Sequence, residues 1–177
     1  MMVRALVTGG ARSGKSGFAE SMVRETGGEN VLYVATAEAP EEDGELRRRI
    51  EDHRRRRPSG WRTVEISYSA NGASLAEVPE FARGMEAVLL DSLTLWVSGR
   101  MFAGADDEKI LDELDGFLAA GIYAPLVVVT DEVGLGLVPE SAEGRRFRDL
   151  LGSVNQRAAA AANEVHLCVA GVPLRVK

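Results

Sequence analysis

A glycine-rich segment near the start of the chain most constrains what it can fold into. Residues 9–16 read GGARSGKS and match the phosphate-loop pattern G-x-x-x-x-G-K-[ST]. A strand-like apolar run at 3–8 precedes the segment, and a helix is predicted over 16–25. Glycines let successive backbone N–H groups turn inward around a polyphosphate, and the helix N-terminus adds the positive end of its dipole. The segment therefore predicts a nucleotide-binding α/β fold.

Short apolar runs alternate with helix-like segments along the rest of the chain. Further strands are predicted over 31–36, 62–67, 87–92, 125–133 and 164–172. Further helices are predicted over 44–57, 93–102, 106–118 and 141–163. This alternation is typical of a mostly parallel sheet with helices on both faces. We expect a single α/β domain over residues 1–177, because no repeat and no dividing linker interrupts the pattern.

Composition excludes several classes of protein. The chain has 177 residues, one cysteine and two histidines, which rules out an internal disulfide and leaves too few ligands for a structural zinc site. No apolar run approaches the roughly 18 to 20 residues of a membrane span. No signal-peptide core develops before the first strand. The sequence therefore predicts a cytoplasmic protein without a membrane span.

Charge is distributed unevenly along the chain. Residues 47–57, RRRIEDHRRRR, hold seven arginines against two acidic residues, a local charge of +5. Because the whole chain carries −6, the other 166 residues carry −11. An acidic protein with one basic segment is expected to bind one anionic ligand rather than to coat a nucleic acid.

The basic segment contains His53, and helical spacing would place Arg49, Arg56 and Arg57 on its face. Guanidinium groups beside an imidazole disfavour its protonated form and can hold a triphosphate or a departing pyrophosphate. The pattern suits a histidine that takes a nucleotidyl group from an α-phosphorus. A solvated helix face or an RNA-binding patch has the same composition, and both alternatives stay open. His166 alternates into a strand and is interpreted as structural.

Acidic residues follow two of the predicted strands. Asp91 ends the run AVLLD, where a carboxylate can organise Mg²⁺ together with Ser16, or meet a substrate hydroxyl, or cap the next helix. Asp131 and Glu132 follow a second strand. Ligands of open α/β sheets bind at the carboxyl ends of the strands. Lys15 of the glycine-rich segment is expected to reach the β- and γ-phosphate oxygens there.

Several motifs occur together in one order. They are TGGARSGKS, LYVAT at 32–36, RRIEDHRRRRPSGWRTVE at 48–65, LLDSLTLWV at 89–97, DEVGLGLVPE at 131–140 and AGVPLRVK at 170–177. In this order the chain resembles the bifunctional adenosylcobinamide kinase / adenosylcobinamide-phosphate guanylyltransferase family of adenosylcobalamin biosynthesis. The resemblance spans nearly the whole chain and is weakest over 67–86 and 103–124.

The resemblance implies a P-loop NTPase-like fold and two reactions on small-molecule corrinoid and nucleotide substrates. ATP or GTP would phosphorylate the hydroxyl of adenosylcobinamide, with Mg²⁺ as cofactor. GMP from GTP would then join that phosphate, giving adenosylcobinamide-GDP and pyrophosphate. His53 matches the position of the family's guanylyl-carrying histidine, and Lys15 is the second catalytic residue. A homotrimer is implied as well, with no nucleic-acid partner.

The resemblance also implies a set of nucleotide-binding positions. They are Gly9, Gly10, Ala11, Arg12, Ser13, Gly14, Lys15, Ser16, Ala35, Thr36, Ala37, Arg54, Arg55, Arg56, Arg57, Glu65 and Asp91. Ser16 and Asp91 are the expected Mg²⁺ ligands. The chain departs from the family pattern at Asp52, where a second histidine is frequent, in its four consecutive arginines, and at Asp131, where asparagine is usual.

Two other functions remain open from the sequence. One is a small-molecule kinase that keeps the phosphate loop without guanylyl transfer. The other is a nucleotide-gated protein that binds nucleic acid through the basic segment.

Overall fold

The computed structural model describes residues 3–37, 44–68 and 73–177, without the side chains at 3, 45, 46, 49 and 56. The strands are β1 (Val3–Gly9), β2 (Val31–Ala35), β3 (Arg62–Glu65), β4 (Ala87–Asp91), β5 (Leu126–Val129), β6 (Ala162–Val169) and β7 (Val172–Arg175). The α-helices are α1 (Lys15–Gly27), α2 (Gly44–Arg56), α3 (Val78–Phe81), α4 (Leu93–Phe102), α5 (Asp107–Ala119) and α6 (Ala142–Ala161). A 3-10 turn, Leu75–Glu77, precedes α3.

The strands of the described chain form one sheet in the order β3-β2-β4-β5-β1-β6-β7. All neighbouring pairs are parallel except β6 and β7. The mostly parallel α/β sheet predicted from the sequence is thereby confirmed. The ends of three strands are in register, since Ala35 lies opposite Asp91 and Asp91 lies opposite Val129. Residues that follow β1, β2, β4 and β5 therefore meet at one edge of the sheet.

Side chains that alternate along the strands build two apolar layers. On one face, Tyr33 and Leu89 pack in a cluster with residues of α1. On the other face, Leu32 and Leu90 pack in a cluster with residues of α4, α5 and α6. Trp61 completes the first layer, and its indole N–H donates to the Gly28 carbonyl at 3.1 Å. Helices therefore cover both faces of the sheet, as the strand pattern predicts.

The end of the chain differs from the prediction. The sequence predicts one strand over 164–172, whereas β6 ends at Val169 and β7 returns beside it in the antiparallel direction. Between them, Ala170 and Gly171 both have positive φ, 51° and 83°. Such a two-residue turn matches the twist of a hairpin. Pro173 fits in β7 because this strand forms an edge of the sheet.

The helices follow the predicted ranges closely, with small differences at their ends. α4 has the predicted bounds, whereas α1 extends to Gly27 and α6 ends at Ala161, before the predicted 163. The short α3 and the turn before it were not predicted, and they lie where the family resemblance is weakest. In the described part of the chain, no helix is both long enough and apolar enough to span a membrane.

Candidate active site

The phosphate loop joins β1 to α1 and packs closely against the β6–β7 hairpin. A Cβ on Gly9 would lie 2.5 Å from the carbonyl oxygen of Cys168. Gly14 has a φ of +91°, and a Cβ there would lie 3.1 Å from the Cα of Gly171. The Gly171 N–H also donates to the carbonyl of Ser13 at 2.9 Å. Glycine is thus needed at both loop positions, because the hairpin leaves no room for side chains.

Lys15 begins α1, and its ammonium group is already paired. Nζ lies 2.5 Å from Oδ1 of Asp131 and donates to the carbonyl of Gly10 at 3.1 Å. Asp131 is held in turn, since its N–H donates to Thr94 Oγ1 at 2.7 Å and its carbonyl accepts from Asn155 Nδ2 at 3.0 Å. A phosphate that binds Lys15 must therefore compete with a carboxylate on a fixed backbone.

Asp91 is the last residue of β4 and contacts residues of β2 and α2. Its Oδ2 accepts a hydrogen bond from the Tyr33 hydroxyl at 2.7 Å, and Nδ1 of His53 lies 3.5 Å from the same oxygen. Burial raises the pKa of Asp91, but hydrogen bonds from His53 and Tyr33 and the charge of Lys15 outweigh it, so this pKa lies below its usual 3.8. Asp91 is therefore an ionised carboxylate.

Tyr33 supports this carboxylate from inside the sheet. Burial, followed by the charge of Asp91, raises the pKa of Tyr33 above its usual 10.0, so the hydroxyl remains a donor. The guanidinium carbon of Arg57 lies 3.6 Å from the centroid of the Tyr33 ring. Arg57 and His53 are four residues apart and both approach the Tyr33–Asp91 pair, as residues on one helical face do. The basic segment thus contacts the buried layer at two positions one helical turn apart.

The neighbouring arginines pair with carboxylates of their own. Arg54 forms an ion pair with Glu65 at the end of β3, and the two side chains are 52% and 55% exposed. Arg55 lies 3.6 Å from Glu51, one turn earlier on α2, and is 76% exposed. Both pairs are weak because solvent screens them. The predicted nucleotide contacts Arg54 and Glu65 are thus brought together, but as partners of each other.

Three arginines are predicted to share a helical face with His53, and the structure describes the side chain of one of them. The side chains of Arg49 and Arg56 lie outside the described residues. Arg57 lies on that face, where it packs over the ring of Tyr33. His166 occupies a different place, 3.0 Å from Glu164 and edge-on to Phe18 at 5.1 Å between ring centroids.

The segment after β2 joins that strand to the end of β4. Thr36 is fully buried, and its Oγ1 donates to the Ser92 carbonyl at 2.6 Å and accepts from the Ser92 N–H at 2.8 Å. The Thr36 carbonyl accepts from the Tyr68 hydroxyl at 2.7 Å. The flanking residues Ala35 and Ala37 are buried and partly exposed, respectively. The hydroxyl of Thr36 is therefore already hydrogen-bonded within the protein. Of the three predicted nucleotide contacts in this segment, Ala37 alone is partly exposed.

The residues expected to bind Mg²⁺ have suitable chemistry. Ser16 follows Lys15 in the first turn of α1, and Asp91 is the ionised carboxylate described above. Hydroxyl and carboxylate oxygens are the donors that Mg²⁺ prefers. Within 3–37, 44–68 and 73–177, no group of three or more His, Cys, Asp or Glu side chains could hold a metal ion. The donors therefore fit an ion that takes its other ligands from phosphates and water.

Sequence reasoning missed three residues that shape the site, namely Tyr33, Asn155 and Gly171. Tyr33 had a signal, because a tyrosine inside a fully buried strand needs a partner for its hydroxyl. Asn155 is the polar residue of α6 that holds the Asp131 carbonyl, and it also accepts from Thr130 Oγ1 at 2.7 Å. Gly171 also had a signal, because an Ala-Gly pair can form a two-residue turn, and this turn places Gly171 against the loop.

A family model and three related proteins each match nearly the whole chain. A family model described as cobinamide kinase / cobinamide phosphate guanyltransferase matches residues 5–176. The bifunctional adenosylcobalamin biosynthesis protein CobU of Escherichia coli is 41% identical, over 97% of this chain and 98% of that protein. CobU of Salmonella typhimurium is 40% identical with the same coverage. The similarly named CobP of Pseudomonas aeruginosa is also 40% identical, over 99% of this chain and 98% of that protein.

Solved structures show the same fold at low sequence identity. A KaiC-like protein from Pyrococcus horikoshii matches with a TM-score of 0.50 and 16% identity, over 93% of this chain and 70% of that chain. An ATPase from a bacterial type III secretion system matches with a TM-score of 0.51 and 11% identity, over 93% of this chain and 50% of that chain. These likenesses confirm the predicted P-loop NTPase-like fold.

Proposed function

The chain belongs to the cobinamide kinase / cobinamide phosphate guanyltransferase family, and from this premise we propose how its residues carry the two reactions. The chain is a bifunctional enzyme of adenosylcobalamin biosynthesis. In this proposal, the phosphate loop binds the nucleotide in both reactions, and His53 carries the guanylyl group in the second. The observation that supports this division is the approach of His53 to Asp91, at the sheet edge that also holds the phosphate loop.

In the first reaction, the hydroxyl of adenosylcobinamide takes a phosphoryl group from ATP or GTP. Backbone N–H groups of loop 9–16 and the start of α1 bind the phosphates of the nucleotide. Lys15 moves from Asp131 to the β- and γ-phosphate oxygens. Its charge there stabilises the transition state, in which negative charge spreads over the transferred group.

Mg²⁺ is the cofactor that we propose for this site, held by the Ser16 hydroxyl and the Asp91 carboxylate. When bound, it neutralises charge on the phosphate oxygens. Both residues are oxygen donors at the same edge of the sheet, which is the support for this assignment.

In the second reaction, a ring nitrogen of His53 attacks the α-phosphorus of GTP and pyrophosphate leaves. The phosphate oxygen of adenosylcobinamide phosphate then attacks the same phosphorus, which gives adenosylcobinamide-GDP and restores the histidine. Arg54 and Arg55 are proposed to bind the triphosphate. Their exposed ion pairs are each worth about 0 to 1 kcal/mol, so a polyphosphate can displace the carboxylates.

The covalent step is tested with GTP labelled at the α-phosphate. With Mg²⁺ present, we expect an acid-labile, alkali-stable label on the wild-type protein and none on His53→Ala. His166→Gln is the matched control, because it changes the other histidine of the chain, and we expect it to be labelled. Phosphorylation of adenosylcobinamide is measured in the same preparations and is expected to persist in His53→Ala.

Other outcomes separate the alternatives. Phosphorylation without any label on the wild type identifies a kinase without guanylyl transfer. Binding of RNA or DNA with a steep salt dependence identifies the nucleic-acid-binding alternative. Undiminished labelling of His53→Ala shows that another residue carries the guanylyl group.

We further propose that the chain works in the cytoplasm as a homotrimer. β7 is an edge strand, and its Val172 and Leu174 side chains are 67% and 58% exposed. Exposed apolar side chains on an unpaired edge suit contact with another copy of the chain. Light scattering should give a mass of three chains of 19.0 kDa each, and a single-chain mass would contradict the proposal.

A further inference from the structure

One ring nitrogen of His53 faces a carboxylate of the protein. Nδ1 lies 3.5 Å from Oδ2 of Asp91, and Nε2 is on the opposite side of the ring from that contact. Hydrogen bonds in ligand-free active sites are often long and shorten when the substrate binds. Nδ1 is therefore the nitrogen directed to Asp91, which leaves Nε2 as the candidate for a bond to a nucleotide.

The carboxylate opposite Nδ1 is fixed by its own contacts. Asp91 ends β4 between Ala35 and Val129, and its side chain is 10% exposed. Its Oδ2 accepts from the Tyr33 hydroxyl at 2.7 Å. Tyr33 is 1% exposed, and Arg57 covers its ring at 3.6 Å. The Asp91 carboxylate is held by these contacts, whereas the His53 side chain is 33% exposed. The carboxylate therefore sets the orientation of the His53 imidazole.

We propose that Asp91 is a positioning residue for guanylyl transfer, which holds the Nδ1–H of His53 so that Nε2 is the atom that bonds to GMP. The inference rests on the proposed function, because it names the reacting atom of the same histidine. It also gives Asp91 a role beyond contact with a nucleotide or a metal ion.

The chemistry of the step explains why a carboxylate belongs there. The lone pair of Nε2 forms a bond to the α-phosphorus, and the bond from this phosphorus to the bridging oxygen breaks, with its electron pair leaving on pyrophosphate. The proton stays on Nδ1, so the ring gains a positive charge that the Asp91 carboxylate stabilises. When the corrinoid phosphate oxygen attacks the phosphorus, the electron pair of the N–P bond returns to Nε2 and the ring becomes neutral.

The positioning role can be separated from a metal role. Tyr33 and His53 both contact Oδ2, so a bond from Asp91 to Mg²⁺ would use Oδ1. Loss of a metal ligand weakens binding, and a higher concentration of Mg²⁺ and GTP compensates for it. Loss of a positioning contact slows the chemical step even when both are saturating.

The ring nitrogen to which GMP is bonded in the wild-type protein tests the inference without any substitution. The protein is labelled with GTP and Mg²⁺, unfolded in alkali and digested, and ³¹P NMR of the peptide distinguishes the two phosphoramidate isomers. We expect the Nε2 isomer. The Nδ1 isomer would overturn this inference and leave the proposed function intact, whereas a wild type with no histidine linkage contradicts the proposed function itself.

Variants test the contact directly through single-turnover labelling at saturating GTP and Mg²⁺. We expect Asp91→Asn to slow labelling by about 100-fold or more, and excess Mg²⁺ should not restore the wild-type rate. Tyr33→Phe keeps the buried ring and removes one donor to Oδ2, so we expect labelling about 3- to 10-fold slower with the Nε2 linkage retained. Asp52→Asn, an exposed carboxylate next to His53, is the matched control and should stay within about 2-fold.

Full recovery of the wild-type labelling rate by Asp91→Asn in excess Mg²⁺ would mean that Asp91 serves only to hold the metal ion, and would overturn the positioning role. Equal rates for Tyr33→Phe and Asp52→Asn would overturn it as well. Thermal unfolding of each variant shows whether it is folded. If Asp91→Asn does not fold, the linkage isomer in the wild-type protein and the labelling rate of Tyr33→Phe test the positioning role.

Discussion

The phosphate loop and the basic helix α2 supply positive charge to the same edge of the sheet, but the protein holds them in different ways. The loop is packed against β6 and the hairpin turn, through contacts of Gly9 and Gly14 that exclude side chains. Its cation, Lys15, is 12% exposed and is paired with Asp131. In the loop, therefore, the backbone conformation itself is fixed by the fold.

Helix α2 is held through few of its side chains. Arg54 and Arg55 are 52% and 76% exposed and pair with exposed carboxylates. Among the side chains described in α2 and directly after it, His53 and Arg57 contact the buried Tyr33–Asp91 pair. A high density of arginine therefore does not make each arginine important. We expect substitutions in the loop to have large effects at many positions, and substitutions in α2 to have large effects at few.

Removal of the loop cation should give the largest effect. We expect Lys15→Ala to lower both phosphorylation of adenosylcobinamide and labelling by GTP at least about 100-fold, because it removes a charge that stabilises the transition state. His53→Ala, in contrast, should lose labelling alone. The two reactions are assayed side by side, and a Lys15→Ala protein that loses one reaction and keeps the other would break the comparison.

The backbone of the loop is tested by paired glycine substitutions. Gly14→Ala places a methyl group at a left-handed position and 3.1 Å from Gly171, so we expect nucleotide binding to weaken about 10-fold or more. Gly17→Ala, in α1 directly after the loop, is the matched control, because its added Cβ meets no other part of the chain within 4 Å. Dissociation constants from calorimetry decide the matter. Similar values for the two variants would mean that close packing does not fix the loop.

Asp131→Asn tests the ion pair that holds the loop cation. It removes the carboxylate that lies 2.5 Å from Lys15 Nζ, so Lys15 no longer exchanges one anion for another. We expect nucleotide binding about 3- to 10-fold tighter at low salt, with a smaller difference at high salt. Asp115→Asn, which breaks the exposed pair with Arg157, is the control and should leave binding unchanged. Weaker binding by Asp131→Asn would show that the carboxylate helps to hold the nucleotide.

The smallest effects are expected within α2 and directly after it. Arg57→Ala removes the guanidinium over Tyr33 and should lower the free energy of unfolding by about 1 kcal/mol. Arg55→Ala removes a side chain that is 76% exposed and should change it by less than about 0.5 kcal/mol. Urea unfolding measures both. Equal losses would contradict the division of α2 into contacting and solvent-exposed positions.

Much of the fold was predictable because its signals are local. The phosphate loop is eight consecutive residues with a strand before it and a helix after it, and β2, β4 and β5 are continuous apolar runs. The β6–β7 hairpin was missed because 164–172 reads as one apolar run. The turn depends on positive φ at Ala170, which is uncommon for alanine and is stabilised by pairing of the strands on either side.

The candidate site was predictable as a set of residues but not as a set of contacts. Asp91 was singled out because it ends a strand, yet its bond to Tyr33 joins residues 58 positions apart and depends on the register of β2 and β4. The partners of Arg54 and Lys15 likewise lie far away in sequence or in another element, Glu65 at the end of β3 and Asp131 just after β5. Helical spacing predicts Arg57 on the side of His53, and both residues contact the Tyr33–Asp91 pair, but spacing alone does not reveal the aromatic ring that Arg57 covers.

The contact between the phosphate loop and the hairpin joins parts of the chain that are far apart in sequence. β1 and the loop are translated well before the β6 strand beside them and the turn at Gly171. A nascent chain that still lacks these residues has the GGARSGKS sequence without the surface that shapes it. We therefore expect nucleotide to stabilise the chain only after β6 and the hairpin turn have been translated and have packed against the loop.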